Sequence, residues 1–349
     1  MRCLPTLLAS LLLAGCARDP VASIYADYLA RLERVTGVEA PAEALATDTL
    51  RYPRGRERQL PVPEVSGSVL EIFRLSRCDI GQLLAQRNSI LGRHADAAAH
   101  LAIDGRITQR LKQCREALNH SDKEDARLLA RIDELLEEKS VAMRARAWNA
   151  GLGSQAMADW WSPSADALVP SEAGMPGDAL EQLVLAVQAA LEGKREQADK
   201  AFSQAYRQLE RQRYGGAWLK AMQTSLAGLS AATTLLDTID TTRLCPQQRP
   251  TPKARVLQTI LQQRYFGNIQ PLLAKLDRAG EAMHEALKTL WPADAKPPAA
   301  VATFRAQVWA VTEGGLGNRL LHESRSHAAA WKRVLQACGL GPAASASAR

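Results

Sequence analysis

The side chains able to do acid–base or metal chemistry are scattered along the chain, and their spacing excludes most of that chemistry. His322-Glu323 and His327 come nearest to a zinc-protease motif, which needs two histidines four apart on one helix face. Here they are five apart, which is roughly 140° around a helix with about 3.6 residues per turn. Both are therefore expected at the surface. His94, His100, His120 and His284 are isolated and form no ligand set. Glu134, Glu137 and Glu138 are clustered, as the carboxylates of a glycan-cleaving site would be. With Lys139 beside them, a solvated helix face explains them better. No phosphate loop, dinucleotide fingerprint or G-x-S-x-G elbow occurs, so no cofactor and no metal is expected.

Thiols are more informative. Cys16 ends the run Leu13-Ala14-Gly15-Cys16, which follows a basic start at Arg2 and an apolar stretch with Leu at 7, 8, 11, 12 and 13. Basic start, apolar stretch and small-residue end make a secretory signal over residues 1–15. Its apolar part is shorter than the about 20 residues that span a bilayer. The ending resembles the lipobox of bacterial lipoproteins, in which the cysteine sulfur takes a diacylglycerol and cleavage falls just before it. Two or three acyl chains, at about 0.8 kcal/mol per buried methylene, would anchor the chain firmly. Position 17 is Ala; by the sorting rule of enteric bacteria, where Asp retains lipoproteins in the inner membrane, the outer membrane facing the periplasm is expected.

Cys3 leaves with the signal, and Cys78, Cys114, Cys245 and Cys338 remain. An even set in an oxidising compartment favours two disulfides, with three connectivities open. Cys78 and Cys114 flank a break at residues 92–95, close to their midpoint at residue 96. Residues equidistant from the turn of an antiparallel helix pair face each other, so Cys78–Cys114 ranks first, leaving Cys245–Cys338. No C-x-x-C pair supports zinc. The formal net charge of +7 is spread along the chain. It suits a partner in an anionic envelope, and nucleic acid is not expected there.

These residues must be positioned by helices. Apolar residues recur three or four apart through most of the chain, no alternating strand pattern appears, and the fold class is all-α, a multi-helix bundle with long irregular connectors. Residues 16–66 hold a lipidated N-terminus, a helix near 21–35 and a Pro/Arg-rich connector that lies along the body or acts as a tether. Residues 67–148 form an N-terminal helical region. One stripe runs through Val69, Ile72, Phe73, Ile80, Leu83, Leu84 and Leu91, the next through Leu101, Ile107, Leu111, Cys114 and Leu118. Ser121-Asp122-Lys123-Glu124 has the form of a capping box. Residues 149–177 are rich in Gly and Pro and mark a subdomain boundary. Residues 178–340 form a C-terminal helical region, opened by Asp178 as a cap, with Pro271 expected to kink or divide a long helix. A polar tail fills 341–349.

Two features are candidate recognition sites. Arg87-Asn88-Ser89 interrupts an apolar helix; it either ends that helix before Gly92, or bridges to a neighbour and lines a groove. Trp160-Trp161 lies in the irregular segment, where it either anchors a partner or pins the loop to the core. Leu185, Gly193, Ala198, Phe202 and Ala205 look like one tetratricopeptide unit. With no second copy in register, an antiparallel pair with Gly at the turn is the simpler reading.

Phe73-Arg74-Leu75-Ser76-Arg77-Cys78, then Arg87-Asn88-Ser89-Ile90-Leu91-Gly92, the Cys245-Pro246 turn, Tyr265-Phe266 and Gln270-Pro271 follow one another in a recognisable order. With the lipobox, they resemble a family of proteobacterial lipoproteins known as domain of unknown function 3080. The resemblance covers nearly the whole mature chain and brings no established activity, substrate or catalytic residue. It implies a lipoprotein of the Gram-negative envelope.

The expectation is a non-enzymatic binding or envelope-assembly module, held at the membrane through Cys16, with an envelope protein or polymer as partner. The alternatives are a cell-wall or lipid-acting enzyme whose site forms only in three dimensions, and a carrier of apolar ligands. Cys16→Ala is expected to release the protein from membranes; retention of that variant after a carbonate wash contradicts the anchor.

Overall fold

The computed structural model describes residues 19–41, 44–45, 50–64, 75–118, 126–174, 176–291, 296–309 and 314–340. The signal peptide, Cys16, Val69, Ile72, Phe73, the Ser121–Glu124 capping sequence and the 341–349 tail lie outside them. Among the described residues every regular element is helical.

Helix α1 (Pro20–Thr36) starts where the Asp19 carboxylate accepts the backbone N–H groups of Val21 and Ala22, with Pro20 at the first helical position. It ends at Gly37, whose positive φ of 74° closes the helix. Val21, Tyr25, Tyr28, Leu29 and Leu32 are all buried. They pack against α9 (Tyr214–Asp237) and α11 (Pro252–Ile260). A Cβ at Gly228 of α9 would fall 2.3 Å from the Tyr25 ring, so the crossing requires glycine there. Helix α9 buries residues around its whole circumference, from Tyr214 to Leu236, as a central helix must.

Two antiparallel hairpins flank this centre. Helices α7 (Ala179–Leu191) and α8 (Arg195–Gln212) turn at Gly193, whose φ is 73°. Ala198, Phe202 and Ala205 are buried between them, while Leu185 is exposed; this is the simple helix pair. Asp178 precedes α7 but does not cap it, because its carboxylate accepts from the Gln182 side chain at 2.6 Å instead.

The second hairpin pairs α4 (Ala97–Leu118) with α5 (Ala126–Ala150). Helix α2 (Gly81–Asn88) lies antiparallel to α4, joined through the short α3 (Ile90–Arg93). Cys78 is bonded to Cys114, and Cys245 to Cys338. The pairing therefore follows the equidistance argument: Cys78–Cys114 and the Gly92–His100 hydrogen bond both centre on residue 96.

Two further expectations are corrected. Leu91 is 85% exposed, because Ser89 ends α2 and caps α3, rotating it off the stripe; its neighbour Ile90 is 74% exposed as well. Pro271 divides its helix as expected, standing in the first turn of the α-segment that opens at Gln270, directly after a π-helical stretch. The backbone runs helically from 252 to 289, and residues 261–269 adopt a π-helix, with the Gln270 N–H donating to the Tyr265 carbonyl. The wider i→i−5 turn accommodates a proline that lacks a donor. Its continuation is α12 (Gln270–Thr289).

The other is His327, which is fully buried on α14 (Leu316–Ala337) rather than at the surface. Its Nε2 lies 2.9 Å from the Tyr28 hydroxyl and 3.1 Å from the Trp331 Nε1, which also donates to Tyr28. His322 is exposed, so the two histidines do face different ways.

Residues 50–64 lie along the body. The Tyr52 hydroxyl donates to the Leu152 carbonyl at 2.8 Å, and the buried Arg58 donates to Gly153 and Gln155. The 149–177 segment contains a helix, α6 (Gln155–Trp160), and its Leu152, Met157, Trp160, Trp161, Leu168 and Ala173 belong to the same core as α1 and α9. Helix α13 (Ala299–Trp309) closes this aromatic side through Phe304.

Burial pulls the His327 pKa down to about 4. The unfolded chain takes up a proton near 6.5, so it binds more protons than the folded chain between pH 6.5 and about 4. Stability is fully present above that window and falls as pH drops through it, by roughly 3 kcal/mol for this group. Urea unfolding from pH 7.5 to 4 is expected to show that loss, and His327→Asn is expected to flatten it. An equal pH slope in the variant would contradict the assignment.

Candidate functional site

Helices α2, α4 and α5 enclose a satellite core of Leu75, Cys78, Ile80, Ile103, Ile107, Leu111, Ile132 and Leu135, separate from the main one. The Cys78–Cys114 disulfide ties its outer end. On the apolar stripe of α4, between Leu101 and Ile107, stands Asp104, with only 7% of its side chain exposed. An ionised carboxylate so placed needs partners. It has three. Arg146 of α5 binds it through Nε, Lys139 of α5 sits at 3.4 Å and Arg87 of α2 at 3.7 Å.

These residues line a groove of about 560 Å³ between α2, α4 and α5. Its charged wall holds Arg87, Arg93, Lys139 and Arg146 against Asp104 and Glu64, an excess of two positive charges. Its apolar wall holds Leu75, Ile80, Leu84, Ile107, Leu111 and Leu135. Desolvation pulls the Arg146 pKa down, and Asp104 counteracts it. Burial also lowers His100, with Arg87 and Arg146 adding repulsion while its hydrogen bond to the Gly92 carbonyl opposes the shift. The field here is positive, and one carboxylate does not saturate it.

Of the sequence candidates, Arg87 and Asn88 line this groove. Ser89 does the other thing considered for the triplet: it ends α2, and its hydroxyl caps α3 by accepting from the Gly92 N–H at 3.0 Å. Trp160 and Trp161 are corrected as recognition residues. They are 0% and 1% exposed and pack edge to face with centroids 4.7 Å apart. A Cβ at Gly215 would strike both rings, at 2.7 and 2.8 Å, so they pin the irregular segment under α9.

Trp161 does border a second pocket, with Tyr52, His284, Trp291, Phe304 and Trp309. Its volume is about 30 Å³, close to that of a single water, so these aromatic rings are packing rather than a ligand chamber. Glu134 and Glu138 pair with Arg131 on the outer face of α5, as a solvated helix face would. Among the described residues no group of three His, Cys, Asp or Glu could hold a metal.

Sequence reasoning missed Asp104, Lys139 and Arg146. A signal was present. Asp104 stands three residues from both Leu101 and Ile107, on the buried face, and Lys139 and Arg146 share the α5 face of Ile132 and Leu135.

Fold and site thus define an all-α protein with two disulfides and a basic, apolar-walled groove in its N-terminal half. The chain belongs to the family described as protein of unknown function DUF3080, whose profile matches residues 25–342. Neither a curated protein nor a solved structure matches it.

Proposed function

We propose that this protein is a non-enzymatic binding module of the bacterial envelope, tethered by a lipid on Cys16, whose groove receives an acidic ligand. The observation that carries the binding half is the Arg87–Lys139–Arg146 cluster around a single buried carboxylate, with two positive charges in excess. Cations held this way are already desolvated and fixed in place, so an incoming anion meets little ordering cost. The groove's volume falls within the range of about 300–1,000 Å³ typical of small-ligand sites. Asp104 is committed to three cations, which leaves it a poor general base or nucleophile and favours binding over hydrolysis.

The tether half is supported by the signal-like order of residues 1–15 and by the start of α1. Among the described residues no helix is long and apolar enough to cross a membrane. Asp19 caps α1, three residues after Cys16, so a lipid there would hold the body within about 10 Å of the bilayer surface.

Thermal unfolding of the mature chain with and without millimolar tripolyphosphate tests the binding half. A rise of about 3 °C is expected, reduced by more than half in Arg93→Glu, whose exposed side chain lines the groove. No rise, or the same rise in the variant, would overturn it.

A further inference from the structure

One stretch of the chain carries charge of a single sign. Residues 241–276 contain no Asp or Glu, although those residues number 37 in the whole chain, and they hold Arg243, Arg249, Lys253, Arg255, Arg264 and Lys275. Arg243 pairs with Asp240, and Arg264 with Asp27 of α1. Arg249, Lys253 and Arg255 are exposed, and none of them has a carboxylate partner among the described residues.

Helix α11 and the π-helical stretch after it turn one long face to solvent. Beyond Lys253 and Arg255 that face carries Gln262, Gln263, Asn268 and Gln270, all exposed, and Phe266, 49% exposed. From Lys253 to Gln270 it runs roughly 20 Å, at about 1.5 Å per residue or somewhat less. The four side-chain amides make no hydrogen bond to any described residue.

Gly267, beside Phe266, is an independent observation. Glycine is among the poorest helix formers, and here neither packing nor backbone conformation calls for it. Its φ is not positive, and a Cβ would meet nothing nearer than the Gln262 carbonyl at 3.6 Å. A bare backbone on an exposed helix, with room for a side chain, suits the close approach of something outside the fold.

The chemistry of the face selects among partners. A bilayer contact wants a continuous apolar stripe, whereas the large apolar residues exposed here are Val256 and Phe266, ten positions apart. A protein interface is built around a cluster of aromatic and apolar anchors, and this face offers one ring. A single ring among free amides, with cations towards one end, matches a sugar polymer bearing acetamido and carboxylate groups. The ring covers the C–H face of a sugar, the amides donate to and accept from its hydroxyl and acetamido groups, and Arg255 and Lys253 meet the carboxylates.

We infer that the solvent face of residues 253–270 binds a carboxylate-bearing polymer of N-acetylated sugars, the chemistry of a cell-wall glycan, with Phe266 stacked on a sugar ring over Gly267. It is a second surface, distinct from the groove, and it rests on the envelope reading only for the polymer being within reach.

Co-sedimentation of the mature chain carrying Cys16→Ala with purified peptidoglycan sacculi tests this, beside chitin and vesicles of phosphatidylglycerol and phosphatidylcholine. Sacculi are expected to bind, and chitin and vesicles at least about tenfold more weakly. Phe266→Ala, Gly267→Gln and the double variant Lys253→Glu, Arg255→Glu are each expected to weaken sacculus binding by about tenfold. Gly267→Gln is expected to melt at the same or a higher temperature, so its loss of binding cannot come from unfolding. The rise in melting temperature with tripolyphosphate is expected to persist in Phe266→Ala, which separates this face from the groove.

Sacculus binding that is absent, or unchanged in all three variants, would overturn the inference. Chitin bound as tightly as sacculi would overturn the carboxylate requirement. Vesicles bound more tightly than sacculi, and lost in the same variants, would replace the glycan with a membrane surface.

Discussion

Asp104 sits on α4 with its carboxylate almost removed from water. Taking such a group out of solvent costs several kcal/mol, and only opposed charges and hydrogen bonds offset that. The offset comes from Arg146 and Lys139 on α5 and Arg87 on α2, so one anion draws three helices to a common point. Removing a single partner from a buried ion pair costs about 3–5 kcal/mol, which makes the cluster a constraint on how α2, α4 and α5 are arranged. Because three cations answer one carboxylate, the same constraint leaves a positive field. The need to neutralise a buried charge and the positive field of the groove are thus one arrangement.

The remainder of the chain is a packed support for that corner. Helix α1 lies in the core against α9, fixed by the Gly228–Tyr25 approach and by the buried Tyr28, His327 and Trp331 network. The connector at 50–64 is stitched to 148–155 through Tyr52, Arg58 and Trp148. A lipid at Cys16 would therefore act through a rigid helix rather than through a long leash.

Helical periodicity made much of this legible. It gave α1 within a residue or two at each end, the α7–α8 turn at Gly193 and, through equidistance from a turn, the Cys78–Cys114 bond. Periodicity weighs apolar residues, so it passed over polar residues that share a buried face: Asp104 between Leu101 and Ile107, and His327 four residues before Trp331. It also carried the apolar stripe past Ser89 to Leu91, where a hydroxyl cap restarts the chain and turns Leu91 outward. The tryptophans at 160 and 161 looked available because Gly and Pro surround them. Their burial depends on Gly215 and Gly216, some fifty residues on, where the missing side chains let the irregular segment press against α9.

The groove's excess positive charge makes a direct demand on the protein as cells produce it. Native mass spectrometry of the mature chain, extracted from membranes in a non-ionic detergent and released gently, tests that demand. The account predicts one bound acidic ligand per chain, lost from Arg93→Glu. A chain that emerges bare, or that carries a neutral ligand retained by the variant, would contradict it.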